Sequence, residues 1–526
     1  MSNVGSPPWC PDMGDGTYQN PILHADYSDP DVVRVGNDFY LVASSFNHMP
    51  ALPLLHSTDL VNWQIVNHIF QRLELAPYET FAPGKGVWAP SIRFHAGRFW
   101  VFFSTPDEGI FMCHASDPLG EWSTPHCLKS VQGWIDPCPF WDDDGRAWLV
   151  HAFAYSRSGI KHKLQLCEMS PDGLSLLDEG KIIVDGGVSL PTLEGPKVYK
   201  RNSWYYIFAP AGGVATGWQT VLRSRSLQGP YESKTVLHQG DSAVNGPHQG
   251  GWVELENGEG WFLHFQDAGV YGRVVHLQPL HWQHDWPVIG CATDNVGPGE
   301  PVLRWLKPAV AQSSSSKQPQ GSDDFSSDRL GLQWQWQANP QRQWFRLDNT
   351  GLSLSCQPMP WRDGQPSFYD TTNFLLQKFP AREFIVTTLM QPRLQNNGDQ
   401  TGVVIYGERY ACLGLSLSEG NSFLTWSTGW VGDRGEVNAQ TQHICPWPVD
   451  APAYFRIVVG QDALCTFYYA WDDCHYHAIP EVFAAGPGKW VGAKVGLYSV
   501  TSAITPYDQE THHGEATYSY FSLTNI

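Results

Sequence analysis

Three acidic residues and a histidine open apolar, aromatic runs at wide spacing in this chain of 526 residues: Asp29 in "YSDPDVV", Asp136 in "WIDPCPF", Glu194 in "LEGPKVY" and His248 in "GPHQGGW". Each stands where a strand begins, and a buried carboxylate is costly unless it is paired or reaches water. Two carboxylates facing one another, one ionised and one kept protonated by its surroundings, are the minimal equipment for cleaving a glycosidic bond. A third nearby raises the proton affinity of the acid, because like charges resist joint ionisation. The other chemistry open to clustered carboxylates is hard-metal binding, and calcium wants about six to eight oxygens at close spacing. No such cluster is visible. "WDDDGR" at 141–146 has the composition of a calcium loop but not its pattern, and it corresponds in position to "RFHAGR" and "YKRNS". It reads as a hairpin turn.

The elements that must position these residues emerge as a repeat. "SDPDVVRVGNDFYLVASSF", "WAPSIRFHAGRFWVFFST", "IDPCPFWDDDGRAWLVHAF", "LEGPKVYKRNSWYYIFAP" and "PHQGGWVELENGEGWFLHFQ" each run strand, polar turn, aromatic strand. A second motif, apolar residues leading to Ser and then an aromatic or Leu, follows four of them, and a looser version follows the fifth. Alignment puts Asp29, Ala89, Asp136, Glu194 and His248 at equivalent positions, about 55 residues apart, in the range of four-stranded propeller blades. Five units predict a five-bladed β-propeller, whose innermost strands line a central channel and begin at one mouth. One acidic residue at a strand start needs no more than turn chemistry. Three in matched register with a histidine have their convergence imposed by the repeat, and Asp29 is tolerated because it faces a wet channel.

Composition agrees with an all-β chain: 50 Gly, 39 Pro, 24 Trp, 21 Tyr and 25 Phe, with only 16% charged residues, describe short aromatic strands and many turns. A net charge of −19 repels nucleic acid and anionic membrane, and leaves neutral partners, such as sugars, open. The 11 cysteines are odd in number and lack metal-ligand spacing, so they read as reduced and mostly buried. "MSNVGSPPWCPDMGDG" has neither the basic nor the apolar region of a secretory signal, and no apolar run reaches membrane-spanning length. The expectation is a cytoplasmic soluble protein, or a secreted one whose leader was removed.

Downstream, "LKPAVAQSSSSKQPQGSDDF" lacks apolar periodicity and reads as an exposed linker. The predicted division is a propeller at 1–308, a linker at 309–324 and a β-sandwich at 325–526. The sandwich rests on segments such as "REFIVTTLMQP" and "WVGAKVGLYSV", and on a hairpin around Gly460-Gln-Asp462.

As an ordered set, and with Trp88-Ala-Pro in "GVWAPSI", the propeller motifs resemble glycoside hydrolase family 43 over residues 18 to about 308. "LGLQWQWQANP" at 330–340 and "AKVGLYSV" at 493–500 resemble the concanavalin-like C-terminal sandwich of its xylosidase branch. That resemblance implies inverting β-xylosidase or α-L-arabinofuranosidase activity on a five-bladed propeller. It makes Asp29 the general base, Asp136 the residue that tunes and orients the acid, and Glu194 the general acid. Invertase-like propellers, which retain configuration, carry Arg-Asp-Pro and Glu-Cys where this chain has Ile135-Asp136-Pro137 and Glu194-Gly195-Pro196. Arg273 in "VYGRVVHL" matches a family arginine that contacts sugar and carboxylates. His248 matches an axial histidine that in several members holds calcium through one nitrogen and several waters, so a Ca2+ on the axis is open and no other cofactor is required. Trp88 and Phe46 are expected to wall the sugar face, and Ala89 to leave room for a monosaccharide. The expectation is therefore an exo-acting enzyme of xylan degradation, releasing xylose, arabinose or both from xylo-oligosaccharides or arabinose-substituted xylan, with a homo-oligomer open. The alternative is a catalytically inert carbohydrate-binding propeller, against which the presence of all three acids counts.

Overall fold

A computed structural model describes residues 7–292, 297–310, 317–432, 435–502 and 514–526. Among the described residues the one α-helix is a single turn, Tyr155–Ser158, and no helix is long and apolar enough to cross a membrane. The chain builds strands because its apolar residues come in short runs rich in aromatic and β-branched types, cut by Gly and Pro.

Five sheets, each with its first four strands antiparallel and in chain order, form blades I to V. Their innermost strands are Asp31–Val35, Trp88–His95, Trp134–Trp141, Lys197–Arg201 and His248–Glu254. Successive side chains of a strand point to opposite faces, and here both faces are buried. In the second strand of blade I, Phe39 and Leu41 pack with Trp261 and Leu263 of blade V, while Tyr40 and Val42 pack with Val101 and Phe103 of blade II. Matching clusters join II to III through Phe102 and Leu149, III to IV through Val150 and Ile207, and IV to V through Phe208 and Phe262. Each fully buried aromatic or aliphatic side chain contributes about 1.5–3 kcal/mol, so the blades hold one another in a closed ring. Strand Thr17–Gln19 pairs with Arg304–Leu306, bringing the two ends of the propeller segment together. The Tyr18 hydroxyl donates to the Leu277 carbonyl at 2.8 Å, anchoring that segment on blade V.

The C-terminal region is two packed eight-stranded sheets. Between them lies a core that includes Trp336, Phe384, Leu413, Trp426, Phe455, Leu497 and Phe521. The hairpin expected at Gly460–Asp462 joins Ala453–Val459 to Leu464–Ala470, and Asp462 takes a positive φ of 55° at its turn. Of the expected linker, 311–316 lies outside the described residues. The part beyond it is packed rather than free: Gln320 donates to the Ile65 carbonyl at 3.1 Å, and Asp323 bridges to Phe521. "WDDDGR" is a hairpin turn, with Trp141 paired to Ala147 and the Asp142 carboxylate taken up by Lys200 and Tyr205.

The sandwich docks on the propeller beside the mouth of its channel. Met49 and Trp336 exchange backbone hydrogen bonds at 3.0 and 2.6 Å, and Asn339 donates to the Leu73 carbonyl at 2.8 Å while accepting from the Leu73 N–H at 2.9 Å. Buried backbone groups satisfied across a domain contact fix its orientation, because leaving them unpaired costs the full desolvation penalty.

Candidate active site

One cavity of about 230 Å³ at the channel mouth is lined by all seven residues singled out from the sequence: Asp29, Phe46, Trp88, Asp136, Glu194, His248 and Arg273. Ala89 lines it too, and its small side chain leaves space beside the carboxylates.

The backbone corrects the register that brought them there. Positive φ recurs at Asp29 (54°), Ala89 (27°), Asp136 (56°), Gly195 (60°) and Gln249 (42°), so these five are the equivalent positions. Glu194 and His248 each stand one residue earlier. At three of the inner strands the pairing register skips here, between Trp88 and Ser91, Ile135 and Cys138, and His248 and Gly250. A bulge of this kind re-aims a side chain at a sheet edge, and a one-residue shift turns a side chain to the other face. Glu194 thus comes at the pocket from a different direction than the two aspartates. Gly195 is required twice over: its φ suits glycine, and a Cβ there would lie 2.7 Å from the Gln249 side chain.

Three donors hold the Asp29 carboxylate in place. Oδ2 accepts from the Ser28 and Ser44 hydroxyls at 2.8 and 2.7 Å, and Arg273 Nη1 lies 3.2 Å from Oδ1 and 3.4 Å from Oδ2. The same Nη1 donates to Ser28 Oγ at 2.6 Å, and the Ser44 hydroxyl accepts from the Ala89 N–H at 2.7 Å. One guanidinium and two hydroxyls leave Oδ1 with a free lone pair.

Asp136 has a single strong donor, the Gly195 N–H at 2.8 Å from Oδ2. Burial pushes its carboxyl up to about 7, with the Asp29 charge adding to the rise and the Gly195 bond, Lys197 and Arg273 opposing it. Glu194, a quarter exposed to the cavity, is pushed up to about 8 by desolvation first and then by the charges of Asp136 and Asp29. Glu194 is thus the group set to keep its proton near neutral pH. His248 is buried and driven down to about 3 by desolvation, then by the Arg273 charge, so it is neutral. Neither ring nitrogen has a hydrogen-bond partner, and Glu194 Oε1 is 3.5 Å from Nε2.

Phe46 and Trp88 form an edge-to-face pair with centroids 6.2 Å apart, and the Trp88 indole donates to the Gly84 carbonyl at 3.1 Å. Such a wall suits the apolar face of a sugar ring. Across the cavity stands a residue the sequence did not reveal, Trp490 of the sandwich, 46% exposed and 6.0 Å from the Arg273 guanidinium. Asp26 ties the two together, since it accepts from the Arg273 N–H at 2.9 Å and from the Gly492 N–H at 3.1 Å. "GPGKWVG" carries no periodicity that points to a pocket on another domain.

A small cavity that brings together a carboxyl held toward its acid form, a second carboxylate bound to an arginine, and an aromatic wall has the equipment of a glycoside hydrolase. Residues 18–287 match the description "Glycosyl hydrolases family 43" and residues 322–524 match "Beta xylosidase C-terminal Concanavalin A-like domain". The chain belongs to glycoside hydrolase family 43. It is 40% identical over 489 residues to a putative β-xylosidase of Xylanibacter ruminicola, covering 92% of this chain and 86% of that one. It is 31% identical to a non-reducing-end α-L-arabinofuranosidase of Bacteroides ovatus, over 64% of each chain. The crystal structure of a xylan β-1,4-xylosidase from Bacillus halodurans matches with a TM-score of 0.82 at 24% identity, over 96% of this chain and 100% of that one, and so shares the fold.

Proposed function

We propose that this protein is an inverting exo-glycosidase that releases xylose, arabinose or both from xylo-oligosaccharides and arabinose-substituted xylan, with 1–308 as its catalytic unit and 325–526 as the sandwich that closes the pocket. The observation that carries the reading is the meeting of Asp29, Asp136 and Glu194 in one cavity, with the acid pushed up and the base tied to Arg273. Relatives named for xylosidase and arabinofuranosidase activity support the two sugars. The volume, about 230 Å³, is below the range of roughly 300–1,000 Å³ typical of pockets for larger ligands. Single sugars at chain ends suit it better than the middle of a polymer.

In the step itself the Glu194 carboxyl gives its proton to the departing glycosidic oxygen as the bond to the anomeric carbon breaks. Asp29 Oδ1 takes a proton from water, whose oxygen bonds that carbon from the opposite side. The proton lost by Glu194 and the one gained by Asp29 return to balance through solvent after product leaves. Asp136, fixed on Gly195 next to Glu194, keeps the acid's proton affinity high.

Calcium takes about six to eight oxygen ligands, whereas His248 offers one imidazole, and among the described residues no group of three His, Cys, Asp or Glu side chains could hold an ion. The buried Lys197 side chain also enters the channel.

The test is turnover of p-nitrophenyl β-D-xyloside and α-L-arabinofuranoside side by side. Hydrolysis of one or both is expected; failure on both, with sugar still bound, would favour the inert binding propeller. Activity is also expected to fall as pH rises through about 8, because the acid form of Glu194 is then lost. Asp136→Asn removes a like charge beside Glu194 and is expected to move that basic limb to lower pH. A limb that stays in place in a pH profile of kcat/KM would contradict the coupling.

A further inference from the structure

Lys197 is wholly buried, with 0% exposure, at the start of the inner strand of blade IV. Its Nζ donates to the Pro90 carbonyl at 2.9 Å and to the Ser91 hydroxyl at 2.8 Å, both on the inner strand of blade II. Blade III stands between those two in the ring, so the side chain reaches its partners across the central channel rather than along the blade seam. Other polar contacts between inner strands join neighbours: Arg93 with Asp31, the Val198 N–H with Cys138 Sγ, the Trp252 N–H with the Tyr199 hydroxyl. Pro90 and Ser91 directly follow Ala89, which shares its register with Asp29 and Asp136. The ammonium therefore sits just behind the ring of carboxylates. Among the described residues no carboxylate is in ion-pair contact with it.

A buried cation without a contacting anion is destabilising by itself, and a lysine kept in that state needs a field that favours it. The carboxylates of Asp29 and Asp136 at the mouth supply one. Arg273 offsets Asp29 by direct contact, and nothing of the kind touches Asp136, whose charge Lys197 favours from behind. We propose that Lys197 is the built-in cation of the propeller axis, supplying behind the carboxylates the positive charge that a bound metal could otherwise supply, and that the enzyme therefore works without an axial calcium. Lys197 is a positioning residue that acts on the reaction through Asp136. This rests on the glycosidase reading, and the experiment separates the two.

Wild-type turnover is measured first on both aryl glycosides; its absence refutes the glycosidase reading and leaves calcium binding by calorimetry as the readout for Lys197. With an active enzyme, dialysis against EDTA is expected to leave kcat unchanged, and calorimetry to show no calcium uptake. Lys197→Met keeps the length and apolar stem without the charge. It is expected to lower kcat at least about tenfold with KM within about twofold, while Tm stays level or rises, since a buried charge is gone. A merely structural lysine would lower Tm and leave kcat in the folded fraction alone. Lys197→Gln serves if the methionine variant does not fold. Wild-type kcat in either folded variant overturns the proposal, as does a wild-type enzyme that EDTA inactivates and calcium restores, or that binds calcium in the calorimeter.

Discussion

Glu194→Gln is expected to lower kcat by about 10³-fold on xylobiose and by far less on a dinitrophenyl β-xyloside, within the roughly 10²–10⁴ range of general acid catalysis. The amide keeps the size of the side chain and its place beside His248, but it has no proton to give. A sugar leaving group departs as a strongly basic alkoxide unless it is protonated, whereas a dinitrophenolate departs unaided. The dependence on leaving group, more than the loss, identifies the role. It follows from what lifts the carboxyl: Glu194 is a quarter exposed, short of donors, and faces the charges of Asp136 and Asp29. A loss of equal size on both substrates would contradict the assignment, since a base or a purely structural group depresses both alike.

Asp29→Asn is expected to be as damaging, about 10³-fold or more in kcat, and indifferent to the leaving group. Water attack is common to every substrate, and an amide cannot take its proton. Asp29 sits on Ser28, Ser44 and Arg273, so the variant also leaves a buried guanidinium without its counter-charge. Some loss of stability accompanies the loss of rate, since breaking a buried pair costs about 3–5 kcal/mol, and thermal unfolding of the folded variant separates the two effects. Retained turnover on either aryl glycoside in a folded Asp29→Asn would remove Asp29 from the chemistry.

Much of this site is legible in the sequence because the propeller multiplies a weak signal. A lone Asp-Pro is a turn; Asp29, Asp136 and Glu194 in the first, third and fourth of five matched units are a ring, and the structure gathers them with His248, Arg273, Phe46 and Trp88 in one cavity. The division between aromatic runs and turns was equally plain, as both faces of most inner and second strands are buried. What the alignment misplaced was the register of blades IV and V. Pro30, Pro90, Pro137 and Pro196 follow Asp29, Ala89, Asp136 and Gly195 and mark the true equivalents. Aligning Glu194 by its carboxylate instead put it one residue too late in the unit, at the position that Gly195 holds. Trp490 was invisible for a different reason: its place depends on how two domains dock, through Asp26 and Gly492, and no local pattern encodes that. Lys197 stands inside "LEGPKVY", two residues past Gly195, but nothing in the sequence encodes its reach across the axis to Pro90 and Ser91.

All of this depends on opposed acids working from two sides of one sugar, with water arriving opposite the bond that breaks. Proton NMR of a concentrated β-xyloside digest, recorded within the first minutes and ahead of mutarotation, reads that directly. α-Xylose must appear first and β-xylose only as it equilibrates; β-xylose at the outset would mean a covalent intermediate and would overturn the assignment of Asp29 as a base acting on water.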